Sequence, residues 1–366
     1  MFLEDVFLET MEKELEGLVC QSTSSCCNTR FLWDPYIAKS LLQKSIRRGE
    51  QRRALTAAGA LLRASEYSFW KRLSVIALED VGIANTRLTA QVLLAAKSPA
   101  LRHQLGGTKE VAPAIVSALC ASPKDRSTDD LIDAAASNVY ESLRAEHADR
   151  TEDALFQIAA SPTAPIVSRA LAGAIFCRGG AEEIARSLKT DNWLKLLHQL
   201  PESVLSPCVG AVAAIGLQRT KSVMAPYLAL LSRDAPVARD LSDDDYPEEL
   251  EIEGLPSWAL DGHTRLGLQS FRLYRKRSAR LCKYLHKWSS GTVSPAKTIA
   301  GLVFRTESAQ LSNRLDWPTG KQLKAEACGN RPGLKPGAAD EGLAIVAEEF
   351  ALVNECRAEE VRVYLR

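Results

Sequence analysis

Asp34-Pro35-Tyr36-Ile37-Ala38-Lys39-Ser40-Leu41-Leu42-Gln43-Lys44-Ser45-Ile46-Arg47-Arg48-Gly49 reads as one complete helix with both ends marked. An aspartate able to cap free backbone N–H groups stands before a proline at the first helical position, where a missing N–H is no loss. Glycine follows the last residue, where a left-handed cap is favoured. The same grammar continues outward. Towards the C-terminus, helices are expected over 51–64, 68–81 (ending at Gly82), 87–96, 112–120 and 128–143. Towards the N-terminus, Phe2, Val6, Leu8, Met11, Leu15 and Leu18 fall on one side of an amphipathic helix over 1–18, and 21–29 reads as a polar, cysteine-containing loop. Alanine and leucine abound and β-branched alternation is rare, so the expected fold class is all-α.

Beyond residue 150 shorter apolar helices are expected over 153–160, 164–177, 181–188, 193–199 and 209–217, punctuated by Pro and Gly. They suggest irregular helical repeats without a sharp period. Eight carboxylates and no base occupy 240–253, which reads as an acidic linker or exposed loop. An amphipathic helix over 341–362 closes the chain. The expected organisation is an N-terminal helix and loop (1–33), a helical bundle (34–145), a repeat-like region (146–238), the acidic linker (239–257) and a C-terminal helical region (258–366).

The 366 residues carry a net charge of +1, with 46% hydrophobic and 25% charged side chains, so a sizeable core is affordable and general disorder is excluded. No apolar run approaches the roughly 18 residues of a membrane span, and the acidic start lacks the features of a secretory signal. Nine scattered cysteines without a C-x-x-C pair suit free thiols in a reducing cytoplasm. Cys20, Cys26 and Cys27 are poorly spaced for zinc, and the five histidines show no paired metal spacing, so no metal is expected. Neither Gly106-Gly107 nor Gly179-Gly180 is followed by the Lys-Ser/Thr of a phosphate-cradling loop, no serine-hydrolase elbow occurs, and no cofactor or catalytic residue is expected. Glu79-Asp80 is the one paired-carboxylate candidate. Neighbours on a helix point about 100° apart, so these two are expected to end a helix and pair with Lys71, Arg72 or Arg87. Asp261-Gly262-His263-Thr264 reads as an N-cap rather than a metal site.

The C-terminal region holds the strongest charge pattern. No acid occurs over 262–306, and on one continuous helix Arg265, Arg272, Lys276, Arg280, Lys283 and Lys287 would fall within an arc of about 80° over about six turns. Leu266, Leu273, Tyr274, Leu281, Tyr284, Leu285 and Trp288 would take the opposite side. Arg277 falls among them and needs an acidic partner. Such a stripe fits a phosphate backbone, bound without sequence preference and with steep salt dependence. Alternatively the acidic 240–253 segment neutralises it, or an anionic membrane surface receives it.

Three stretches of 34–137 carry a family likeness. Lys44-Ser45-Ile46-Arg47-Arg48-Gly49, the run Phe69-Trp70-Lys71-Arg72-Leu73-Ser74-Val75-Ile76-Ala77-Leu78-Glu79-Asp80-Val81-Gly82-Ile83-Ala84, and Ser122-Pro123-Lys124-Asp125-Arg126-Ser127 occur in this order and spacing. They resemble the C-terminal helical region of the replication-associated AAA+ ATPases of the MgsA/RarA and Werner-helicase-interacting-protein group. That resemblance implies a clamp-loader-collar-like bundle that assembles subunits near replication or repair machinery. The preceding 33 residues hold no ATP-binding motif, so ATP hydrolysis is not implied. Together these readings lead to a non-enzymatic, DNA-associated accessory protein that self-associates or docks through 34–145, in a replication, repair, mobile-element or phage-defence setting. The alternative is a pure protein–protein scaffold.

Overall fold

The computed structural model describes residues 3–26, 33–178, 190–200, 207–235, 240–329 and 331–366. The first part comprises α1 (Leu3–Gln21), α2 (Pro35–Arg48), α3 (Gln51–Ala64), α4 (Glu66–Ile76), α5 (Thr86–Lys97), α6 (Pro99–Gln104), α7 (Thr108–Ala121), α8 (Ser127–Ala135) and α9 (Glu141–Ala148). Then come α10 (Glu152–Ala160), α11 (Ile166–Arg178), α12 (Thr190–Gln199), α13 (Pro207–Thr220) and α14 (Met224–Ser232). The last part holds α15 (Arg265–Arg277), α16 (Ala279–Trp288), α17 (Pro295–Val303), α18 (Pro318–Gly329), α19 (Ala339–Glu348) and α20 (Phe350–Tyr364). The fold is all-α. Two-residue strands, β1 (Leu241–Ser242), β2 (Glu251–Ile252), β3 (Leu255–Pro256) and β4 (Arg314–Leu315), are its extended pieces among the described residues. The helix expected over 181–188 lies outside the described residues.

Local chemistry sets the helix ends. Asp34 Oδ1 accepts from the N–H groups of Tyr36 and Ile37 at 2.7 and 3.0 Å, and Gly49 at φ 73° donates to Ser45 and Ile46 carbonyls. Where the expected boundaries fail, a short polar side chain or a turn residue competes with the helix. The helix expected over 68–81 begins at Glu66, and after Ile76 widens into a π-helical turn, Ala77–Val81. The helix expected over 128–143 stops at Ala135, because Ser137 caps a 3-10 turn at Asn138–Tyr140. The helix expected over 341–362 is two helices meeting at Glu349.

Tertiary packing redraws the expected domains. One continuous core joins Met11 and Leu15 of α1, Trp70 of α4, Trp193 of α12, Tyr227 of α14, Trp258, Trp317 and Val361 of α20. Helix α13 packs on α1 and α5, α11 on α8, and α18 also on α8. Residues 34–145 and the repeat-like 146–238 therefore share one interior instead of forming separate units. Removing a fully buried ring such as Trp70 or Trp193 would cost about 3–5 kcal/mol. A second, smaller core unites Phe271, Tyr274, Leu281, Tyr284, Ile299 and Phe350 where α15 packs on α17 and α20.

The acidic segment is no free linker. β1 pairs antiparallel with β4, and β2 with β3. Glu253 and Gly254, both at positive φ (51° and 75°), form the two-residue turn between β2 and β3, while Ile252 and Leu255 are buried. Its acids have near partners: Asp244 contacts Arg314 and Lys324, and Glu249 and Glu251 contact Arg53. The segment is a strap across the body, held by charge and by two apolar anchors.

Candidate functional site

The basic stripe is broken in the middle. Ser278 has an extended backbone, and its hydroxyl accepts from the Leu281 N–H at 2.9 Å, so α15 ends and α16 starts afresh. Serine hydrogen-bonds its own neighbourhood more readily than it continues a helix. This corrects the expectation of one straight six-turn helix.

The six expected contact residues are all exposed but have different surroundings. Arg280 pairs with Glu348, Lys287 lies 3.8 Å from Glu341 and over the Trp288 ring, and Arg265 stacks on Tyr364. Arg272, Lys276 and Lys283 have no carboxylate partner among the described residues. Arg277 finds its acid in Glu359, at the surface rather than in the interior. Partial neutralisation thus comes from α19 and α20. The acidic strap pairs elsewhere.

The break leaves part of the basic stripe on a concave surface. Arg272, Arg275, Lys276 and Arg277 line a groove of about 740 Å³ together with Ser278 and Ser294. Ser278 starts α16, and Ser294 with Pro295 starts α17, so two helix N-termini border the cationic groove. Their free N–H groups and partial positive charge favour an anion. Lys283 and Lys287 do not line it. Arg275 escaped the sequence reading because it lies off the stripe of a continuous helix; the Ser294-Pro295 cap was as legible as Asp34-Pro35.

A second polar centre lies inside the molecule. It gathers one side chain or more from each of the three stretches singled out in the sequence. Arg47 donates to Glu79 Oε1 and Asp80 Oδ1, both at 2.7 Å; Arg126 donates to the same two oxygens at 2.8 and 2.5 Å, and also meets Asp129. Gln43 reaches Asp80 Oδ2 at 2.8 Å. The expected partners Lys71, Arg72 and Arg87 are not the ones used. Nor do the two carboxylates diverge as on an ordinary α-helix, since the π-helical turn and two long guanidinium groups bring both into one cluster. Gly82, at φ 48° and ψ −127°, reverses the chain behind them, and a Cβ there would stand 3.2 Å from the Asp125 carbonyl. The Asp125 N–H in turn donates to the Asp80 carbonyl at 3.0 Å.

Neighbouring pairs extend the cluster. Lys44 and Ser40 both reach Asp261 Oδ2, at 2.9 and 2.8 Å, and the Asp261 Oδ1 atom accepts the His263 N–H. Thr264 caps α15, so this run is the expected N-cap with an added buried ion pair. Arg305 holds Asp130 and Asp133, and Arg331 also holds Asp133. The Phe304 ring lies beneath the guanidinium groups of Arg47, Arg126 and Arg305. Burial would raise the Glu79 carboxyl, but Arg126 and Arg47 outweigh it and hold the group down at about 2. Burial likewise opposes Lys44 at Asp261, which also settles at about 2. At Asp129 burial wins over Arg126 and pushes the carboxyl up to about 7.

Beside this cluster is a cavity of about 650 Å³, whose lining includes Lys44, Arg47, Glu79, Asp129, Phe271 and Phe304. Its four lining carboxylates, Glu79, Asp129, Asp133 and Asp261, are each engaged by a cation. Among the described residues no group of three His, Cys, Asp or Glu side chains is placed to hold a metal ion, and no helix is long and apolar enough to cross a membrane. No protein-family model, no curated protein and no solved structure matches the chain.

Proposed function

We propose that the chain is a DNA-associated, non-enzymatic helical accessory protein that binds the phosphate backbone without sequence preference. One observation carries this reading: Arg272, Arg275 and Lys276, without carboxylate partners among the described residues, face a common groove bordered by two helix N-termini. Each element there favours negative charge, and a phosphodiester chain supplies it at regular intervals. The acidic strap, occupied with Arg53, Arg314 and Lys324, leaves the groove open.

The likeness of 34–137 to the collar region of replication-associated AAA+ ATPases supports a setting in DNA replication, repair or mobile-element defence, within the cytoplasm. Self-association through 34–145 belongs to the same proposal. Tyr36, Tyr67 and Val139, each more than 60% exposed within that region, are side chains that a protein contact would cover, as the second reading, a scaffold indifferent to nucleic acid, also requires.

Fluorescence anisotropy with labelled single- and double-stranded 20-mers tests the two readings. The full chain should bind at 50 mM salt and lose affinity steeply by 200 mM, through release of counterions. Arg272→Glu with Lys276→Glu should abolish binding while leaving the helical circular-dichroism signal intact. Unchanged affinity in that variant overturns the groove assignment. A defined oligomer without DNA retention at low salt favours the scaffold.

A further inference from the structure

The cationic face of α15 leads away from the groove to an open aromatic stack. Arg265, Arg272 and Lys276 share one face of this helix, within an arc of about 40°, and Arg265 stands about 10 Å along the axis from Arg272. Arg265 has no carboxylate partner among the described residues, and its guanidinium lies 5.9 Å from the centre of the Tyr364 ring. That ring stacks on Trp33, with centroids 6.3 Å apart and planes 21° from parallel. Tyr364 is 43% exposed and Trp33 half-buried, so part of the stack faces solvent. Val363 and Leu365 on either side of Tyr364 are exposed too, which makes a patch rather than a scattered apolar side chain. Arg362 and Arg366 frame that patch, both exposed and without a carboxylate partner among the described residues. Aromatic rings interleaved with arginines thus continue the row of cations.

We propose that the nucleic acid is a single strand, with phosphates on Lys276, Arg272 and Arg265 and an unpaired base stacked on Tyr364. The proposal rests on the groove reading given above and adds the strand class to it. Phosphate contacts alone suit a duplex as well as a single strand. A ring on the protein can take the face of a base only where the base is not already stacked inside a duplex. Every base has such a face, so stacking keeps the lack of sequence preference. A base arriving at Tyr364 takes the place beside the ring that Arg265 holds, and releases that guanidinium to a phosphate. An exposed cation–π contact is weak enough to yield in this way.

Anisotropy of the full chain at low salt with three labelled strands of equal length tests it: a mixed-sequence single strand, its duplex, and an abasic single strand that keeps the phosphates and lacks the bases. The single strand should bind at least about fivefold more tightly than the other two, which is the effect of one stacked base. Tyr364→Ala should lower single-strand affinity to the abasic level and leave the duplex and the abasic strand unchanged. Tyr364→Phe, which keeps the ring, should bind like the unaltered chain. Tyr364 ends α20 and is 43% exposed, so neither variant opens a core. Arg272→Glu with Lys276→Glu should weaken all three complexes. Single-strand affinity no higher than that of the abasic strand or the duplex overturns the stacking and leaves the groove reading standing. So does a Tyr364→Ala chain that binds the single strand unchanged, or loses all three strands alike. Binding of none of the three by the unaltered chain overturns both readings.

Discussion

Arg126 lies fully buried against Asp80, with its Nη1 2.5 Å from Oδ1 and neither side chain reaching solvent. Arg47 reaches the same oxygen from α2, so a single carboxylate ties three distant stretches together. An ion pair sealed in this way loses the hydration of both charges, and its geometry must be complete to offset that loss.

Replacing Asp80 by alanine should therefore destabilise the fold by about 3–5 kcal/mol, because two guanidinium groups would be left with too few acceptors. Urea unfolding followed by circular dichroism measures it. A loss below about 1 kcal/mol would show that the cluster is dispensable to the fold.

Gly82→Ala should destabilise by about 1–3 kcal/mol. The residue sits at φ 48° and ψ −127°, and its new Cβ would press on the Asp125 carbonyl at 3.2 Å. Gly107→Ala is the comparison: its φ is also positive, at 89°, but a Cβ there meets nothing within 4 Å, so only backbone strain remains. The thermal midpoint should fall further for Gly82→Ala than for Gly107→Ala.

Stability should have limbs of opposite sign with pH. Glu79 and Asp261, held at about 2, contribute stability that is present above the ordinary carboxylate range and lost as pH falls through about 2. Asp129, pushed up to about 7, binds its proton more tightly in the folded chain, so its contribution declines as pH rises from about 4 to about 7. Urea midpoints across pH 2–8 should show both limbs. Asp129→Asn should flatten the upper limb, and Asp261→Asn should shrink the acid limb. An unchanged upper slope in Asp129→Asn would count against the assignment.

Thiol labelling should divide the cysteines by position. Burial pushes Cys120 up to about 12 and Cys356 up to about 11, which suppresses their thiolates. Cys20 and Cys282 are exposed, and Cys282 lines the basic groove. A maleimide on the native chain should modify Cys20 and Cys282 and spare Cys120 and Cys356. Bound DNA should protect Cys282 and leave Cys20 reactive. Equal labelling of Cys282 with and without DNA would place the nucleic acid elsewhere.

Helix ends were the part of the fold most open to sequence reading. Asp34-Pro35 and Gly49 bound α2, and Gln51 and Ala64 bound α3, because caps and turns depend on residues within three or four positions. The same local reasoning reached the all-α class and the cationic character of 265–287. It failed at Ser278, where the helical pattern continued on both sides but a hydroxyl was near enough to cap a new start.

What the sequence determined by itself was the run of helices and the positive sign of the charge over 262–306. Both rest on short-range periodicity and capping. Only the tertiary structure decided which cations stay free: Arg277 and Arg280 meet Glu359 and Glu348 of another helix, while Arg272 and Lys276 meet no acid among the described residues. It alone brought Arg47, Glu79, Asp80 and Arg126 together around one turn. Charge pairing depends on distance in space, which the spacing of residues along a chain does not specify.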